Sequence, residues 1–402
     1  MTTILRSLDG IDVAGKRVVV RADLNVPMKN GCVTDDTRIR HVVPTLAELA
    51  DRRAIVVVLS HFERPGGRVI AEYSLAPLRK PLERCLQRTV HFVATDWRNG
   101  LHRSAVAAAE PGDILLMDNT RFHPGEEKND PAFARVLASL GDIFVNDAFS
   151  AAHRAHASTE GIAHLLPSYA GRGMQAELSA LDRALGNPIR PVGAIVGGAK
   201  VSTKISLLEN LVKRVDDLVI GGGMANTFLH AQGFSVGRSI CEPQLGAVAE
   251  RILRQAEKHS CNIILPRDAV VAGEFAANAD HMTVDIGEVP EGAMILDIGP
   301  ETIADIKELF GELRTLLWNG PVGAFELEPF DRGTIAIAQT AARLTRAGKL
   351  QTIAGGGDTV AALAAANVKD SFSYISNGGG AFLEWLEGRA LPGVTPLKTA
   401  NA

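Results

Sequence analysis

The chain contains 402 residues, more than a single hydrophobic core usually accommodates, so we expect two domains. Hydrophobic residues make up 46%, charged residues 22%, and 39 residues are glycine, which is typical of a glycine-rich α/β enzyme and not of a disordered or fibrous protein. The net charge of -4 argues against nonspecific nucleic-acid binding as the main activity, so any basic surface must be local.

The cysteines and the N-terminal sequence bear on the compartment. The four cysteines, Cys32, Cys85, Cys241 and Cys261, are far apart and form no C-x-x-C pair, as expected of reduced thiols in a cytosolic protein. Residues 1–10 show no signal or transit pattern, and no apolar run reaches membrane-spanning length. We therefore expect a soluble cytoplasmic protein without a nucleic-acid or membrane partner.

Short runs of Val, Ile and Leu recur along the chain with helical patterns between them. The runs are 18–20, 55–59, 114–117 and 143–145, then 194–196, 218–220, 263–265, 315–318, 351–354 and 373–375. Continuous apolar strands separated by helices predict parallel sheets covered on both faces. The fold class predicted is α/β, with two doubly wound parallel-sheet (Rossmann-like) domains joined by a linker helix.

The helical pattern of 172–185 ends at Gly186-Asn187-Pro188, a helix stop signal, and divides the two sets of strands. We predict a first domain over 1–171, a linker helix over 172–186 and a second domain over 187–387. Residues 388–402 have little core character and would form either a frayed tail or a strap packed on the first domain.

The first strand ends in a set of polar groups. Arg21, Asp23 and Asn25 alternate after the run 18–20, and a period of two would place the three side chains on one side. Ligands bind at the carboxyl ends of parallel strands, so this set suggests a small acidic molecule that carries a hydroxyl. An ion pair followed by an Asn turn is the alternative interpretation.

Other cations follow later strands or open the next helix: Arg38, His61, Arg64, Arg121 and Arg154. A parallel sheet would bring them to one edge with Arg21, and such a cluster fits a phosphorylated carboxylate. Each arginine taken alone is more simply a surface ion-pair partner. His153 and His156 are three residues apart, but no third ligand of suitable spacing supports a zinc site.

Glycine-rich turns follow strands of the second half at 197–200, 221–223 and 355–359, and another at 378–380 precedes a helix. Glycine lets backbone N–H groups approach phosphate oxygens, and a helix N-terminus favours anions, so a polyphosphate site is predicted. No turn completes G-x-G-x-x-G or G-x-x-x-x-G-K-[ST], which disfavours a dinucleotide dehydrogenase or a P-loop enzyme.

Three charged positions belong to this second cluster. Lys200 and Lys204 are four apart, so on a helix start both ammonium groups would lie near the glycine turn with an anion between them. Asp358 is placed to hold magnesium beside phosphates or to cap a helix, and these roles are compatible. Glu326 could accept hydrogen bonds from ribose hydroxyls.

The longer motifs occur in one order: RADLNVP, SHFERPGG, DNTRFHPGEEKND, NDAFSAAHRAHAST, GGAKVSTK, GGGMANTF, WNGPVGAFE, GGGDT and SNGGGAFLEWLEG. Together they resemble the phosphoglycerate kinase family from about Arg17 to Gly393. The resemblance implies a phosphotransferase with a carboxyl group as acceptor. Its reaction would be reversible transfer between 1,3-bisphosphoglycerate with ADP and 3-phosphoglycerate with ATP, in glycolysis and gluconeogenesis.

The resemblance also implies roles for particular residues. The phosphoglycerate ligands would be Asp23, Asn25, Arg38, His61, Arg64, Arg121 and Arg154. Beside these ligands we expect Arg21 to orient Asp23, with the phosphate bound by the arginines of the later loops. MgATP or MgADP would bind through Lys204, Gly221, Gly222, Asn319, Glu326, Gly356, Gly357, Asp358 and Thr359, with Mg²⁺ on Asp358. Arg38 and Lys200 would contact the transferring phosphoryl group, helped by the amides of Gly379 and Gly380. We expect a monomer whose domains close on the two substrates by hinge bending.

The sequence departs from the family pattern at three places. Phe62-Glu63 replaces Leu-Gly in the usual SHLGRP, Asn377 replaces a common Thr, and Asp118 stands where Glu is common. None of these changes removes a cation, so we expect activity to be retained. The alternatives are a catalytically altered homologue that only binds metabolites or proteins, which the change at 62–63 would support, and a nicotinamide dehydrogenase, which lacks its fingerprint here.

Overall fold

The computed structural model describes residues 5–399, and these divide into two compact units. Unit 1 comprises the described residues of Met1–Ser179 and Ala390–Ala402, and unit 2 is Ala180–Arg389. The division falls inside the helix that the sequence predicts as a linker, so this helix is shared by the two units. The assignment of one substrate to each unit remains a prediction.

Unit 1 is built on a six-stranded sheet in which every strand pair is parallel, with strand order β5-β6-β4-β1-β7-β8. Its strands are β1 Arg17–Arg21, β4 Ile55–Leu59, β5 His91–Val93, β6 Ile114–Met117, β7 Ile143–Asn146 and β8 Ser168–Ala170. A separate antiparallel hairpin joins β2 Met28–Lys29 to β3 Cys32–Val33.

Both faces of this sheet are covered, which explains the uninterrupted apolar runs in the sequence. Val18 and Val20 belong to one buried cluster, whereas Val19 belongs to a second cluster on the other face. The covering helices are α1 Thr37–Asp51, α2 Arg79–Leu86, α3 Leu101–Ala107 and α4 Pro131–Ala138. Helix α5, Arg172–Leu181, leads out of the unit.

Unit 2 contains a second all-parallel six-stranded sheet, with strand order β11-β10-β9-β15-β16-β17. Its strands are β9 Val192–Val196, β10 Asp217–Ile220, β11 Asn262–Ile264, β15 Thr315–Asn319, β16 Gln351–Gly355 and β17 Tyr374–Ser376. A three-stranded antiparallel sheet inserts between β11 and β15, and its strands are β12 Asp268–Ala272, β13 His281–Asp285 and β14 Met294–Ile298.

The helices of unit 2 are interspersed with its strands along the chain, and the last of them follows β17. They are α6 Ile205–Leu211, α7 Gly223–Ala231, α8 Gly246–Lys258, α9 Pro300–Glu312, α10 Arg332–Arg346, α11 Gly357–Ala365 and α12 Gly380–Leu386. Helix α7 begins directly after a glycine turn that follows β10, and α11 begins in the same way after β16. Strand, glycine turn and helix N-terminus therefore recur at one edge of the sheet.

The predicted α/β class with two parallel sheets is confirmed, and all ten predicted apolar runs coincide with parallel strands. The sequence did not reveal β5 and β8, the edge strands of unit 1. Each has only three residues, and His91 in β5 and Ser168 in β8 interrupt the apolar pattern. The antiparallel β12–β14 sheet was missed as well.

The C-terminal segment lies against unit 1. The backbone N–H of Arg6 donates to Leu397 O at 2.9 Å, and Gly393 N–H donates to Ala152 O at 2.8 Å. Asn146 Nδ2 at the end of β7 donates to Gly393 O at 2.9 Å. These bonds join the two ends of the described chain to each other and hold the C-terminal segment against the end of β7.

Across residues 5–399, no helix combines the length and the apolar character needed to cross a membrane.

Candidate active site

The cations predicted in unit 1 follow strands that end at one edge of its sheet. Arg21 is the last residue of β1, His61 follows β4 by two residues, and Arg121 lies in a short 3₁₀ helix after β6. Because neighbouring parallel strands end on the same side, the fold brings these loops together. The predicted period of two from Arg21 to Asn25 does not hold, since β1 ends at Arg21 and the following residues leave the sheet.

Asp23 and Arg38 form a direct ion pair in this edge. Arg38 Nη1 donates to Asp23 Oδ2 at 2.8 Å and to the backbone oxygen of Asn25 at 3.0 Å. Ser150, after β7, also donates to Asp23 Oδ2. Burial by itself would raise the pKa of Asp23, but the charge of Arg38 and the hydrogen bonds from Ser150 and from the Asn25 N–H hold it below its ordinary value. Asp23 therefore remains an acceptor for hydroxyl groups.

Asn25, Glu63 and Arg121 are linked through the backbone of the loop after β4. Asn25 Oδ1 accepts a hydrogen bond from Glu63 N–H at 3.0 Å, and Glu63 O accepts one from Arg121 Nη1 at 2.6 Å. Glu63 has φ +51, in the left-handed region that favours glycine. The family pattern has glycine at this position, so this chain carries a side chain at a backbone conformation that favours glycine.

Arg21 contacts His61 and not Asp23, the residue that the sequence led us to expect it to orient. Its Nη2 lies 3.0 Å from His61 Nδ1, and its Nε donates to Ser158 Oγ at 2.8 Å. A guanidinium has only donors, so His61 Nδ1 must accept and the ring proton must reside on Nε2. Burial and then the charge of Arg21 hold the pKa of His61 well below 6.5. His61 is thus a neutral hydrogen-bond donor.

Beneath these groups lies Glu126, a fully buried carboxylate that the sequence analysis did not single out. It accepts hydrogen bonds from Ser158 N–H at 3.1 Å and from Thr120 Oγ1 at 3.3 Å. Burial raises its pKa, while the charges of Arg21 and Arg121 act against that rise. Glu126 is the internal counter-charge for the buried arginines. An acidic residue shortly after a cationic loop was the only available signal.

Positive charge remains in excess at the rim of the cluster. Arg121 is 4% exposed, and burial is the main reason that its pKa is lowered, with Arg154 and Arg64 adding to the effect. Burial followed by Arg21, Arg121 and Arg154 lowers the pKa of His156 to about 3. Arg154 is half-buried and Arg64 is exposed. The neighbouring cations thus disfavour the protonated forms of Arg121 and His156, and a bound anion would offset this repulsion.

In unit 2 the glycine turns pack against one another through their backbones. A Cβ on Gly197 would lie 1.8 Å from Pro321 O, and one on Gly222 would lie 2.8 Å from Gly198 O. These contacts bring together the turns that follow β9, β10 and β15. Close backbone approach, rather than phosphate contact alone, is what requires glycine here.

The turn at Gly221 and Gly222 does not offer its N–H groups to a ligand. Gly221 N–H donates to Val196 O at 3.0 Å, and Gly222 N–H donates to Val322 O at 2.9 Å. Gly221 is buried, with Val322 in the place where a Cβ would be. The expectation of phosphate-binding amides in this turn is therefore wrong, because both donors already complete the strand-end packing.

Gly222 nevertheless lines a cavity of about 400 Å³. Its walls include glycines of the turns after β9 and β10, the strand β14, and the predicted residues Glu326 and Asp358. Phe275 and Ile240 give it apolar surface, whereas the carboxylates lie among backbone groups. A cavity of this size with few polar groups is typical of a site for a small molecule or cofactor.

Asp297 is a second buried carboxylate that the sequence analysis passed over, and it also lines this cavity. It accepts hydrogen bonds from Gly333 N–H at 2.6 Å and Ile298 N–H at 2.9 Å. Burial raises its pKa to about 8 despite these two donors. Gly323 and Gly333 both pack on Asp297 Oδ1, so the carboxylate braces both ends of the segment that carries Glu326.

Lys200 and Lys204 have different surroundings, contrary to the pairing expected from a helical spacing. Lys204 Nζ donates to Gly197 O at 2.6 Å and to Asn319 Oδ1 at 2.7 Å, and burial lowers its pKa to about 8. Lys200 is exposed. Hydrogen bonds from the backbone and the hydroxyl of Ser202 are the main causes that lower the pKa of Glu242, and the charge of Lys200 adds a smaller effect. The backbone at both lysines is non-helical, so the i, i+4 rule does not apply.

Asn319 and Thr359 are occupied within the protein. Asn319 Nδ2 donates to Gly355 O at 2.8 Å, and its Oδ1 accepts a hydrogen bond from Lys204 Nζ. Thr359 Oγ1 donates to Gly355 O at 2.9 Å and accepts from Gly320 N–H at 2.7 Å. Both side chains tie β15 to β16, and Asn319 positions Lys204.

The first turn of α11 is the part of the GGGDT motif that faces outward. Gly356, with φ +99, is the N-cap, and Gly357 and Asp358 are exposed. The first N–H groups of a helix have no acceptor within it, so this end favours an anion. Gly380 opens α12, which Gly379 caps with φ +51, and both glycines are exposed. Asn377 precedes the cap by two residues.

Magnesium, which the resemblance implies, fits Asp358. No group of three or more His, Cys, Asp or Glu side chains suited to a metal occurs within residues 5–399, so a cage made entirely by the protein is not expected. Mg²⁺ usually keeps several waters and binds through one or two carboxylates together with substrate phosphates. Asp358 is an exposed carboxylate on the same cavity and at the same helix end as the predicted phosphate site.

Comparison with known proteins is consistent across the whole chain. A family model described as Phosphoglycerate kinase matches residues 8–389. The phosphoglycerate kinase of Chelativorans sp. (strain BNC1) is 61% identical over 394 residues, covering 98% of this chain and 99% of that protein. That of Rhizobium meliloti (strain 1021) is 59% identical over 397 residues, covering 98% and 99%.

Solved structures give the same result. The structure of phosphoglycerate kinase from Coxiella burnetii matches with a TM-score of 0.91 at 43% identity and covers 98% of this chain and 99% of its own. The phosphoglycerate kinase of Pyrococcus horikoshii OT3 matches with a TM-score of 0.80 at 28% identity, covering 98% of each chain.

Proposed function

This chain belongs to the phosphoglycerate kinase family, and from that premise we propose how its two units divide the work of the reaction. The enzyme is a phosphotransferase of glycolysis. It transfers a phosphoryl group reversibly between 1,3-bisphosphoglycerate with ADP and 3-phosphoglycerate with ATP. The alternative, a homologue that only binds metabolites or proteins, is not favoured. Relatives that match over nearly their full length are named phosphoglycerate kinase, and none of the three departures from the family pattern removes a cation.

We propose that unit 1 binds the phosphoglycerate. The observation that carries this assignment is the excess of positive charge where its strands end. Burial lowers the pKa of Arg121 and the charges of Arg154 and Arg64 add to the effect, while Glu127 and Glu126 compensate only in part. Asp23 and Asn25 would receive the glycerate hydroxyl and carboxylate. The neutral ring of His61 would donate from Nε2. Arg64, Arg121 and Arg154 would hold the phosphate.

Unit 2 would bind the nucleotide in the cavity lined by Gly222, Glu326 and Asp358. Glu326 is exposed and suits ribose hydroxyls, while the first turn of α11 at Gly356 to Thr359 suits the phosphates. Lys204, held by Gly197 O and Asn319 Oδ1, would contribute its charge to the phosphates, and Gly221 would act only through packing. Mg²⁺ held by Asp358 would supply charge neutralisation on the phosphates.

The chemistry requires charge and position more than acid–base groups. The acceptor carboxylate is already ionised at neutral pH, so no general base is needed. The remaining task is to align the reactants and to neutralise charge on the transferring group. Arg38 and Lys200 would do this with the amides of Gly379 and Gly380. Closure of the units on both substrates remains a prediction, as do the monomeric state and the cytoplasmic location.

A coupled assay with 3-phosphoglycerate and MgATP tests the proposal. Substituting Arg38→Ala or Lys200→Ala should lower kcat by roughly 10²–10³-fold, as when one preorganised donor to a developing charge is removed. Arg40→Ala is the matched control for Arg38, because Arg40 lies on the same helix and is paired with Asp36 at 2.7 Å. Its turnover should stay within about twofold of the parent.

Two outcomes would contradict this assignment. If the parent protein shows no turnover of 3-phosphoglycerate, the kinase proposal fails as a whole. If the parent is active and the Arg38 and Lys200 variants turn over within a few-fold of it, the enzyme stands but these residues do not contact the transferring group.

A further inference from the structure

Asn119 is a fully buried amide at the edge of the sheet, two residues after β6, and no substrate role falls to it. Its Oδ1 accepts hydrogen bonds from Phe62 N–H at 3.1 Å and Arg121 N–H at 3.0 Å. Its Nδ2 donates to Phe62 O at 2.6 Å and Tyr73 O at 3.0 Å. The amide thus uses all four of its hydrogen-bonding sites within the protein.

The two bonds to Phe62 hold that residue by both its N–H and its carbonyl. Such a two-point contact fixes the backbone of the loop after β4 as one rung of a sheet would. Phe62 lies between His61 and Glu63. The backbone of Glu63, in turn, contacts Asn25 Oδ1 through its N–H and Arg121 Nη1 through its oxygen. The orientation of three predicted phosphoglycerate ligands therefore depends on the segment that Asn119 holds.

The backbone of Asn119 is fixed from the other side. Trp97 Nε1 donates to Asn119 O at 3.0 Å, and Trp97 is 3% exposed. Trp97 has φ +66, which is rare for a bulky side chain and persists only where surrounding contacts hold it. Asn119 N–H also donates to Asp118 Oδ1 at 2.9 Å. These contacts leave the amide little freedom to rotate or move.

We infer that Asn119 is a positioning residue for phosphoglycerate. It couples the loop carrying His61 to the loop carrying Arg121 and so sets the spacing between the donors that meet the substrate. This inference rests on the proposed role of unit 1. Because the amide has no exposed surface and no unused hydrogen-bonding site, it acts through Phe62 and Arg121 and does not touch the substrate.

The test uses the full chain and substitutes Asn119→Ser and Asn119→Asp. Serine removes both contacts to the Phe62 backbone without adding charge. Aspartate keeps the size and the acceptors but places an oxygen against the carbonyls of Phe62 and Tyr73. Both variants should raise the KM for 3-phosphoglycerate at least about tenfold, because displacement of substrate-positioning groups by about 1 Å has effects of this order or larger. The KM for ATP should stay within about twofold.

Asn146 provides the matched control. It is also fully buried and ends β7 of the same sheet. Its Oδ1 accepts a hydrogen bond from Ala148 N–H at 3.1 Å, and its Nδ2 donates to Gly393 O at 2.9 Å. Asn146→Ser and Asn146→Asp should lower the urea midpoint while leaving both KM values within about twofold. A purely structural role for Asn119 would make its variants behave in the same way.

Trp97→Phe gives a milder perturbation if an Asn119 variant does not fold. It keeps an aromatic ring but removes the bond to Asn119 O, and it should raise the KM for 3-phosphoglycerate about two- to fivefold, with the KM for ATP unchanged. Calorimetric binding of 3-phosphoglycerate should weaken in parallel.

The inference is overturned if folded variants keep the parent KM for 3-phosphoglycerate, or if both KM values rise together. A parent protein without turnover of 3-phosphoglycerate would instead contradict the proposed function itself.

Discussion

At the strand ends of unit 1, buried side chains act largely by fixing the position and the protonation of their neighbours. Arg21 is 1% exposed and its guanidinium carries only hydrogen-bond donors, so it determines which nitrogen of His61 carries the proton. Glu126 and Ser158 hold Arg21 in turn. His61 can therefore donate to an anion without becoming charged, and at the proposed site this would make substrate binding independent of the titration of His61 near neutral pH.

This tautomer is directly measurable. Nitrogen-15 NMR of the free protein at pH 7 should show His61 with Nδ1 unprotonated and Nε2 protonated. The pattern should persist from pH 6 to pH 8, because burial and Arg21 hold the pKa of His61 well below 6.5. The His61→Gln spectrum supplies the assignment. A protonated Nδ1, or an imidazolium at pH 7, would contradict the geometry.

Glu63 shows the opposite situation, because its side chain is strained by the conformation of its own backbone. With φ +51, this residue occupies a conformation that costs an ordinary side chain roughly 1–2 kcal/mol. Glu63→Gly should therefore raise the free energy of unfolding by about 0.5–1 kcal/mol after the entropy of glycine is counted.

Urea denaturation checks this, with Glu110→Gly as the control. Glu110 is exposed and is not among the positive-φ residues, so its replacement should only destabilise. A loss of stability in Glu63→Gly would mean that contacts of the Glu63 side chain outweigh the backbone strain.

At the scale of elements, the glycine turns of unit 2 complete backbone packing at some positions and leave a helix N-terminus exposed at another, where we propose phosphate binding. Gly197, Gly221 and Gly222 let three strand ends approach one another, and all three donate their N–H groups to backbone oxygens of neighbouring segments. The turn before α11 leaves its helix N-terminus outward. The same sequence feature therefore has two roles, and the neighbours in space decide between them.

Gly222 and Gly233 separate crowding from backbone strain. Both have positive φ, +65 and +92, but a Cβ on Gly222 would lie 2.8 Å from Gly198 O, whereas one on Gly233 would meet nothing within 4 Å. Gly233→Ala should cost about 1 kcal/mol of unfolding free energy. Gly222→Ala should cost distinctly more and weaken ADP binding, since it displaces the turn that Lys204 holds through Gly197 O.

Urea melts and calorimetric titration with MgADP measure these effects. Equal losses of stability in the two variants, with unchanged ADP affinity for Gly222→Ala, would show that the turns can separate without consequence.

For the molecule as a whole, buried ionisable groups couple folding to pH with opposite signs in the two units. In unit 1, His156 has a pKa of about 3 in the fold against an ordinary 6.5, so below pH 6.5 the unfolded chain binds a proton that the folded chain does not. In unit 2, Asp297 has a pKa of about 8 against an ordinary 3.8, so its contribution to stability is lost as pH rises between these values.

The His156 contribution can be isolated by substitution. His156→Asn keeps a side-chain acceptor at the start of the turn Ala157–Gly161, where His156 is the cap. Relative to the parent, this variant should gain unfolding free energy as pH falls from 6.5 towards 4, by no more than about 1.4 kcal/mol per pH unit.

Urea denaturation at several pH values gives this difference. His164→Asn is the control, because His164 is 59% exposed and its replacement should give a smaller pH-dependent difference. A constant difference between His156→Asn and the parent would show that His156 is protonated in the fold.

The amino-acid sequence by itself determined the two parallel sheets and the grouping of cations after the strands of the first half. Both are local properties: uninterrupted apolar runs report burial on two faces, and the residues that follow a strand lie at a known edge. The same local signals failed for β5 and β8, where three-residue edge strands carry too little pattern, and for the β12–β14 sheet.

Only the tertiary structure decided which groups remain available to a ligand. Lys204 meets Asn319 across 115 residues and Asn119 meets Phe62 across 57, and no spacing in the sequence reports such partners. Contacts between residues far apart in the sequence gave Lys204 a partner that Lys200 lacks, occupied the N–H groups of Gly221 and Gly222, and placed Arg21 against His61 instead of Asp23. A hydrogen-bonding group has few sites to share, so its function depends on which distant neighbour has already filled them.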